Sequence, residues 1–232
     1  MTSQPAKQTN KQTNISIIEI LLSILKSFFV CLKLFGLKKA LKLPIFLKYN
    51  TKVLALNGSV TLTGNKRLVI GFGKISEIDN SRERSIIKFN GNITIDTPCI
   101  LGPGSKIISE KNSKLVIGAH FNNTAKVTIS NRGNIIIGRD CLLSWNTWIC
   151  DTDFHHIIDM NLQTESHPNG TTKIGNHVWI CSNSAVIKGA EIPNGCIVAT
   201  GAIVNKAFIE ENCLLAGVTA VEKKHHISWR DS

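Results

Sequence analysis

A six-residue spacing of apolar side chains is the feature of this 232-residue sequence that most restricts its fold. In the downstream half the spacing holds for Ile174, Ile180, Val186, Ile192, Val198 and Val204, and after a one-residue slip for Ile209, Leu215 and Val221. Upstream it holds for Ile95, Leu101 and Ile107, for Ile117, Asn123 and Ile129, and for Ile137, Leu143 and Ile149. An α-helix does not keep such a spacing on one face, because its 3.6-residue period drifts around the axis. The repeat predicts short strands joined by tight turns.

Each hexapeptide fits one flat side of a triangular coil, with its apolar residue pointing inward. Small residues four positions later fill the corners, as in Val178, Ser184, Ala190, Cys196 and Ala202. Glycine and asparagine meet the positive-φ requirements of the turns. Stacked coils would pair as parallel strands about 4.8 Å apart. The sequence therefore predicts a mainly β protein, a left-handed parallel β-helix over residues 51–221, with a C-terminal tail at 222–232.

The seven cysteines fit this interior. No CxxC pair occurs, and an odd number does not favour a disulfide framework or a structural zinc site. Four of them occupy the small interior position of the repeat, namely Cys99, Cys141, Cys196 and Cys213. We expect reduced, buried thiols rather than nucleophiles.

The net charge of +11 is concentrated at one end of the chain. The first 52 residues contain nine lysines and one glutamate, and the remainder is almost balanced. The whole chain has a single tyrosine, and the body has no basic stretches interleaved with aromatic residues. These features argue against binding of nucleic acid.

The N-terminal quarter divides into two parts. Residues 1–14 are polar and predicted to be disordered. Residues 15–50 predict a basic amphipathic helical segment ending near Pro44, with Glu19, Lys26 and Lys33 on one stripe. Three charges argue against a membrane-spanning helix, and no signal-peptide cleavage site follows. Two uses remain open: peripheral contact with an anionic membrane through residues 15–43, or a helical cap on the body or on a neighbouring subunit.

The repeat is interrupted once for a long stretch, which predicts an extruded loop at residues 151–173. Insertions on a solenoid often carry function. This one contains His155, His156 and His167 together with three aspartates. In an extended segment Asp151, Asp153 and His155 would share one face, and a carboxylate beside an imidazole makes a general base. The alternative is a polar surface loop without a chemical role.

Several motifs resemble those of the hexapeptide acyltransferases, and more narrowly of the acetyltransferases that modify capsular, lipopolysaccharide and exopolysaccharide sugars. They are DTDFH at 151–155, IGNHVWI at 174–180, SAVIKG at 184–189 and IVATGAIVNK at 197–206, with LPIFLKYN at 43–50 and LLSWN at 142–146. The resemblance covers the chain from about residue 43 to the end.

The resemblance implies a cytoplasmic, acetyl-CoA-dependent homotrimer without a metal. It implies transfer to a sugar hydroxyl of a bacterial surface polysaccharide or its lipid-linked precursor. His155 would be the general base in a direct transfer, oriented by Asp153 or Asp151. The implied acceptor-binding residues are Trp179, His156, Asn183 and Trp145, and the implied acetyl-CoA-binding residues are Ala185, Gly201, Ala202, Lys206, Lys223 and Lys224.

Three departures from the family pattern stand out. Cys181 and Thr200 replace small residues and are expected to narrow the donor groove, and Thr219 replaces a proline. Alternative functions are N-acetylation of a nucleotide-linked amino sugar and a β-helix scaffold without activity. A zinc-dependent carbonic anhydrase would need His120, His155 and His177 to converge, which their spacing does not favour.

Overall fold

The computed structural model describes residues 16–73, 75–76, 78–80 and 82–230. The polar tail expected at residues 1–14 lies outside them. Two helices, α1 (Ile17–Phe35) and α2 (Leu37–Ala40), precede the strands. In chain order the strands are β1 Ile45–Leu47, β2 Lys52–Leu56, β3 Ser59–Thr63, β4 Leu68–Ile70, β5 Ile86–Phe89, β6 Asn92–Asp96, β7 Cys99–Leu101, β8 Lys106–Ser109, β9 Lys114–Ile117, β10 Asn122–Asn123, β11 Thr128–Asn131, β12 Asn134–Ile137, β13 Leu142–Leu143, β14 Trp148–Cys150, β15 Ile158–Asp159, β16 Thr164–Glu165, β17 Thr171–Ile174, β18 Trp179–Ile180, β19 Ala185–Val186, β20 Glu191–Ile192, β21 Ile197–Val198, β22 Ile203–Val204, β23 Leu214–Ala216 and β24 Val221–Lys224.

Three parallel sheets form the sides of a left-handed coil, which confirms the predicted fold. The first sheet has the order β1-β4-β7-β10-β13-β18-β21-β23, with β24 antiparallel at its end. The second has β2-β5-β8-β11-β14-β19-β22, and the third has β3-β6-β9-β12-β17-β20. Each full coil takes one strand from each sheet, and repeat residues stack in register, as Ile107, Ile129 and Ile149 do in the second sheet.

The repeat residues form the core, with two exceptions at the C-terminal end. From Ile95 to Val204 the predicted interior positions are buried, including Asn123, whose Oδ1 accepts hydrogen bonds from Gly102 N and Ser105 Oγ at 2.8 Å. Ile209 is 87% exposed and Val221 is exposed, so their assignment to the interior was wrong. After β22 the third side of the coil is reduced to a single bridge between Glu191 and Ala207, and Phe208 packs against the core in place of Ile209. The coil ends with β23, and β24 runs antiparallel to it, so the six-residue spacing no longer directs Val221 inward.

The cysteines confirm the sequence interpretation. All seven are free thiols, and the four at small interior positions are buried. Burial raises the pKa of Cys99 to about 12 and that of Cys141 to about 11. Such thiols are protonated at neutral pH and fill space in the core.

The predicted N-terminal helical segment is observed, and it caps the first coil through a face on which Ser23, Ser27, Val30 and Cys31 are buried. Ser27 Oγ accepts a hydrogen bond from Leu47 N at 2.8 Å, and Ser23 Oγ accepts one from Tyr49 N at 2.9 Å. Because β1 already belongs to the coil, the β-helix begins before the expected boundary at residue 51. Within the described part of the chain, no helix is both long enough and apolar enough to cross a membrane.

The C-terminal segment is not the separate tail expected at residues 222–232. The chain continues in β24 and then returns to the first sheet, where Trp229 stacks on His177 at 4.4 Å between ring centroids. Trp229 Nε1 also donates a hydrogen bond to the His177 carbonyl oxygen at 2.8 Å. The peptide bond before Thr219, the residue that replaces the family proline, is cis.

Candidate active site

The extruded loop leaves the fifth coil after β14 and returns at β17. Its two ends pair at the base, where Gly170 N donates to the Asp151 carbonyl at 2.7 Å and Asp153 N donates to the Pro168 carbonyl at 2.9 Å. At its tip, β15 and β16 form a small antiparallel ribbon. The loop is therefore an ordered hairpin standing at the corner between the second and third sheets.

Asp151 is a structural residue of the loop base. Its carboxylate is buried and accepts hydrogen bonds from Asn131 Nδ2 at 2.7 Å, Arg132 N at 2.8 Å and Gly133 N at 2.9 Å. Burial raises the pKa of Asp151, and these three donors oppose that rise. The carboxylate joins the loop to the corner of the coil below and does not contact His155.

The shared face expected for Asp151, Asp153 and His155 is not formed. Phe154 has a φ of 64°, and its backbone N donates to Thr152 Oγ1 at 2.9 Å. This left-handed residue breaks the extended backbone on which the alternation of side chains depends. It therefore separates Asp153 from His155, and a bend of the chain at Asp151 separates the buried Asp151 carboxylate from Asp153, which lies on the corner surface.

The three histidines of the loop have different surroundings. His155 is exposed, and no hydrogen bond or ion pair joins it to another described residue. His156 Nδ1 lies 2.8 Å from Glu165 Oε1 across the hairpin, and its ring centroid is 6.3 Å from that of His167. His155 is thus the loop histidine whose ring is free to meet a substrate.

Lys188 anchors the loop beside His155, and the sequence analysis missed it. Its ammonium group forms an ion pair with Asp153 and donates to the His167 carbonyl oxygen at 3.0 Å. Lys188 follows β19 at the same corner, one coil beyond the loop. A cation at a corner position next to the insertion was the available signal in the sequence.

Aromatic side chains line the second-sheet side of the loop. Trp148 and Phe154 stack with ring centroids 6.4 Å apart, and the Arg132 guanidinium lies 5.1 Å from the Phe154 centroid. In the strand register, Ala185 stands between Trp148 and Ile203. A small residue between two larger ones leaves a groove on this sheet. Trp148 was not singled out from the sequence; the available signal was its position directly before the inward-pointing Ile149, where alternation along a strand places a side chain outward.

The groove leads to the corner between the first and second sheets. Trp145 and Asn183 lie there, joined by a backbone hydrogen bond from Asn183 N to Trp145 O at 3.1 Å. Gly201 lies at the next corner with a φ of 72°, and a side chain at its position would meet no atom within 4 Å. The side chain of Ala202 is buried in the core, so it does not line the groove.

The two unusual residues of the groove contact each other. Burial raises the pKa of the Cys181 thiol, and hydrogen bonds with Thr200 oppose that rise. At the C-terminal end of the groove, Lys206 lies 5.3 Å from the Phe208 ring centroid. Lys206, Lys223 and Lys224 are exposed, and none of them forms an ion pair with another described residue. They remain available to an anionic ligand.

Trp179 lies on a different side of the coil from His155. It belongs to β18 in the first sheet, where its Nε1 donates to Ser144 Oγ at 3.2 Å and its ring lies 6.2 Å from that of Trp229. The two residues that the resemblance assigns to one site are therefore separate within one chain. Among the described residues, no group of three or more His, Cys, Asp or Glu side chains could hold a metal ion.

The known proteins that this chain resembles include a protein of a cps region and two polysialic acid O-acetyltransferases. No protein-family model matches the chain. It is 28% identical to an uncharacterized 24.8 kDa protein in the cps region of Klebsiella pneumoniae, over 74% of this chain and 75% of that protein. It is 36% identical to a polysialic acid O-acetyltransferase of Neisseria meningitidis, over 28% of this chain and 30% of the relative. A polysialic acid O-acetyltransferase of Escherichia coli is 26% identical over 53% of this chain, which spans 40% of that relative.

Among solved structures, an N-acyltransferase from Bacillus cereus, crystallised as a mutant with dTDP and coenzyme A, superposes with a TM-score of 0.51. The two are 20% identical, and the match covers 61% of this chain and 77% of that one. The likeness is one of fold.

The hexapeptide coil and its extruded histidine loop define a left-handed parallel β-helix protein with one principal site. The matching relatives include named acetyltransferases, which confirms the resemblance of this chain to the hexapeptide-repeat acyltransferases.

Proposed function

We propose that this protein transfers an acetyl group from acetyl-CoA to a sugar hydroxyl of a bacterial surface polysaccharide or of its lipid-linked precursor. The observation that carries the proposal is the exposed His155, which stands on an anchored loop beside a groove. The names of the polysialic acid O-acetyltransferases support the acceptor class. The match covers less than half of each of those relatives, so the acceptor is part of the proposal.

His155 acts as the general base. Its ring takes the proton from the acceptor hydroxyl as that oxygen attacks the acyl carbonyl. The carbon–sulfur bond of the thioester then breaks, CoA leaves as the thiolate and takes up the proton, and no covalent enzyme intermediate forms. A positioned base of this kind contributes roughly 10²–10⁴ in rate. Asp153 holds the loop through Lys188 and so orients His155 indirectly, whereas Asp151 maintains the loop base.

The residues of the second-sheet groove fit the acyl donor. Ala185 and Gly201 leave space along the groove, and the exposed Lys206, Lys223 and Lys224 offer cations for phosphate groups. Acetyl-CoA supplies the activated thioester when it is bound there. Cys181 and Thr200 line the same corner and narrow it.

The site is completed between subunits of a homotrimer. Trp179 and His155 lie on different sides of one chain, so they form one site only if a second subunit contributes one of them. The loop also ends in an apolar tip, with Ile157, Met160 and Leu162 each more than 60% exposed. Such a tip suits contact with a neighbouring copy. The free thiols support a reducing compartment, so we place the protein in the cytoplasm.

The test of the reaction uses the wild-type chain with acetyl-CoA and a panel of acceptors. Polysialic acid, other capsular glycans and a nucleotide-linked amino sugar are incubated with it, and CoA release and product mass are measured. We expect acetylation of a glycan, with the group removed by mild alkali as an ester is. An alkali-stable product on the amino sugar would instead identify an N-acetyltransferase. Absence of acetyl-CoA binding by calorimetry would contradict the proposal and favour a scaffold.

The subunit arrangement has its own test. Light scattering should give the mass of a trimer. His155→Asn and Trp179→Ala variants, each inactive alone, should recover activity when unfolded and refolded together, because some interfaces then carry both native residues. A monomeric mass, or no recovery in mixed trimers, would contradict a shared site.

A further inference from the structure

The face of α1 that points away from the coil is apolar. Ile18, Leu21, Leu25, Phe29 and Leu32 follow the helical spacing on the side opposite Ser23 and Ser27, and each is exposed. We call these five residues the outward face. Leu37 and Leu41 extend the exposed apolar surface beyond the helix. Surfaces of this kind on soluble proteins mark contact with another molecule.

The orientation of α1 follows from the edge strand that it covers. β1 begins the first sheet, so its outer backbone groups lack a neighbouring strand. The polar side of α1 supplies their partners: Ser23 and Ser27 accept from this strand and the residues after it, and Lys26 Nζ donates to Tyr49 O at 2.8 Å. With Ser23 and Ser27 bonded to the coil beside the buried Val30 and Cys31, the helix presents its larger apolar side outward.

A basic cavity adjoins the C-terminal end of this helix. It has a volume of about 500 Å³ and is lined by Lys39, Lys42, Lys66 and Arg67, together with apolar groups that include Phe35. The described lining contains no acidic residue, and none of the four cations forms an ion pair with a described side chain. The cavity therefore suits an anionic group such as a phosphate.

We propose that the outward face and this basic cavity dock the protein on an anionic lipid bilayer. The apolar residues enter the acyl-chain boundary, and the cavity takes a phosphate-bearing headgroup. A second copy of the chain could cover the apolar residues, but its corresponding surface is equally cationic and offers no anion to the cavity. A bilayer supplies both the apolar layer and the anions.

Docking in this way would set the height of the active site above the membrane. Four strand spacings of about 4.8 Å separate the first coil, which the helix caps, from the fifth, which the loop leaves. This distance is roughly 19 Å, and the helix itself adds about 10 Å. That height suits a sugar carried on a lipid anchor. This last step rests on the proposed function, whereas the docking itself does not.

The test is co-sedimentation of the full chain with vesicles, without acetyl-CoA or acceptor. Vesicles of phosphatidylcholine alone are compared with equimolar phosphatidylcholine and phosphatidylglycerol. We expect binding to the anionic vesicles that weakens as salt is raised. The double variant Leu25→Ser/Phe29→Ser should bind at least tenfold more weakly, because two large side chains no longer enter the bilayer. Lys42→Gln/Lys66→Gln should lose roughly 25-fold, at about fivefold per cation.

Matched controls carry the same changes elsewhere on the surface. Leu54→Ser/Ile209→Ser removes two exposed apolar residues, and Lys111→Gln/Lys114→Gln removes two exposed cations; both should bind as the wild type does. The altered side chains of the outward face are exposed, so their replacement should leave the fold intact. An unchanged melting temperature checks this. Wild-type binding that is absent, or equal for the outward-face variant and its control, would overturn the proposal. The proposal would also be overturned if the wild type did not bind vesicles and the outward-face variant had a lower oligomer mass. That result would assign the outward face to contact with a second copy of the chain.

Discussion

Replacement of Asp151 by alanine is expected to destabilise the fold while sparing the chemistry. The substitution leaves the backbone N–H groups of Arg132 and Gly133 without their acceptor, whereas Asn131 Nδ2 keeps the carbonyl oxygens of Lys114 and Gly133 at 3.1 and 3.2 Å. A buried donor without a partner costs about 1–3 kcal/mol, so two donors at the lower bound give about 2 kcal/mol. The lower bound applies because both donors are only partly buried and because the variant no longer buries a charged carboxylate. For a chain of this length the loss corresponds to a melting temperature roughly 4–8 °C lower.

The assay is thermal unfolding followed by far-ultraviolet circular dichroism, with turnover measured well below the melting temperature. Asp153→Ala is the comparison, because its partner Lys188 lies near the surface and such pairs contribute about 0–1 kcal/mol. We expect Asp151→Ala to melt early but retain turnover, and Asp153→Ala to melt near the wild type but lose turnover. An Asp151→Ala protein with wild-type stability and no turnover would refute the structural role and return Asp151 to the catalytic machinery.

Three further outcomes are expected. Lys188→Met should lower kcat and open the loop to limited proteolysis, because both loop ends lose their anchor. The control Lys173→Met removes a surface ion pair and should do neither. Equal cleavage of the two variants would contradict the anchoring role of Lys188. Ser27→Ala should lower the free energy of unfolding by about 1–3 kcal/mol, because a buried backbone N–H of β1 loses its acceptor; an unchanged urea midpoint would argue against the capping contact. In the native protein at pH 8, Cys99 should be a thiolate in only about one molecule in 10⁴, and Cys141 in about one in 10³. Neither thiol should react with DTNB until the chain is unfolded. Rapid labelling of the native protein that peptide mapping assigns to Cys99 or Cys141 would contradict their burial.

The coil could be predicted from sequence because its repeat is local. Each inward side chain is fixed by its position within a hexapeptide, so residues from Ile95 to Val204 were assigned correctly. The same rule failed for Ile209 and Val221, where the coil ends. The end depends on how the last strands pair, and the spacing itself contains no signal for it.

The site could be predicted only in part, for two physical reasons. The interruption at 151–173 and the loop histidines were visible as a failure of the repeat. The grouping of Asp153 with His155 assumed an extended backbone, which the left-handed Phe154 breaks. Lys188 meets the loop across a corner of the next coil, a contact between residues 35 apart in sequence that no local pattern encodes.

The orientation of α1 shows a third limit. An amphipathic pattern normally predicts that the apolar side is buried. Here the neighbour is an edge strand that needs hydrogen-bond partners, so the serine side is buried and the apolar side remains outside. The distribution of polar and apolar residues along α1 correctly predicted an amphipathic helix. Which of its sides meets the coil depends on the neighbouring strand.

The assignment of His155 as the general base is tested most directly by measuring acetyl transfer in two variants, His155→Asn and His226→Asn. His226 is an exposed histidine outside the loop, so the second variant controls for loss of an imidazole as such. Both proteins should bind acetyl-CoA as the wild type does. Turnover should fall roughly 10²–10⁴-fold in His155→Asn and stay unchanged in His226→Asn. Turnover of His155→Asn within threefold of the wild type would contradict the assignment of His155 as the general base.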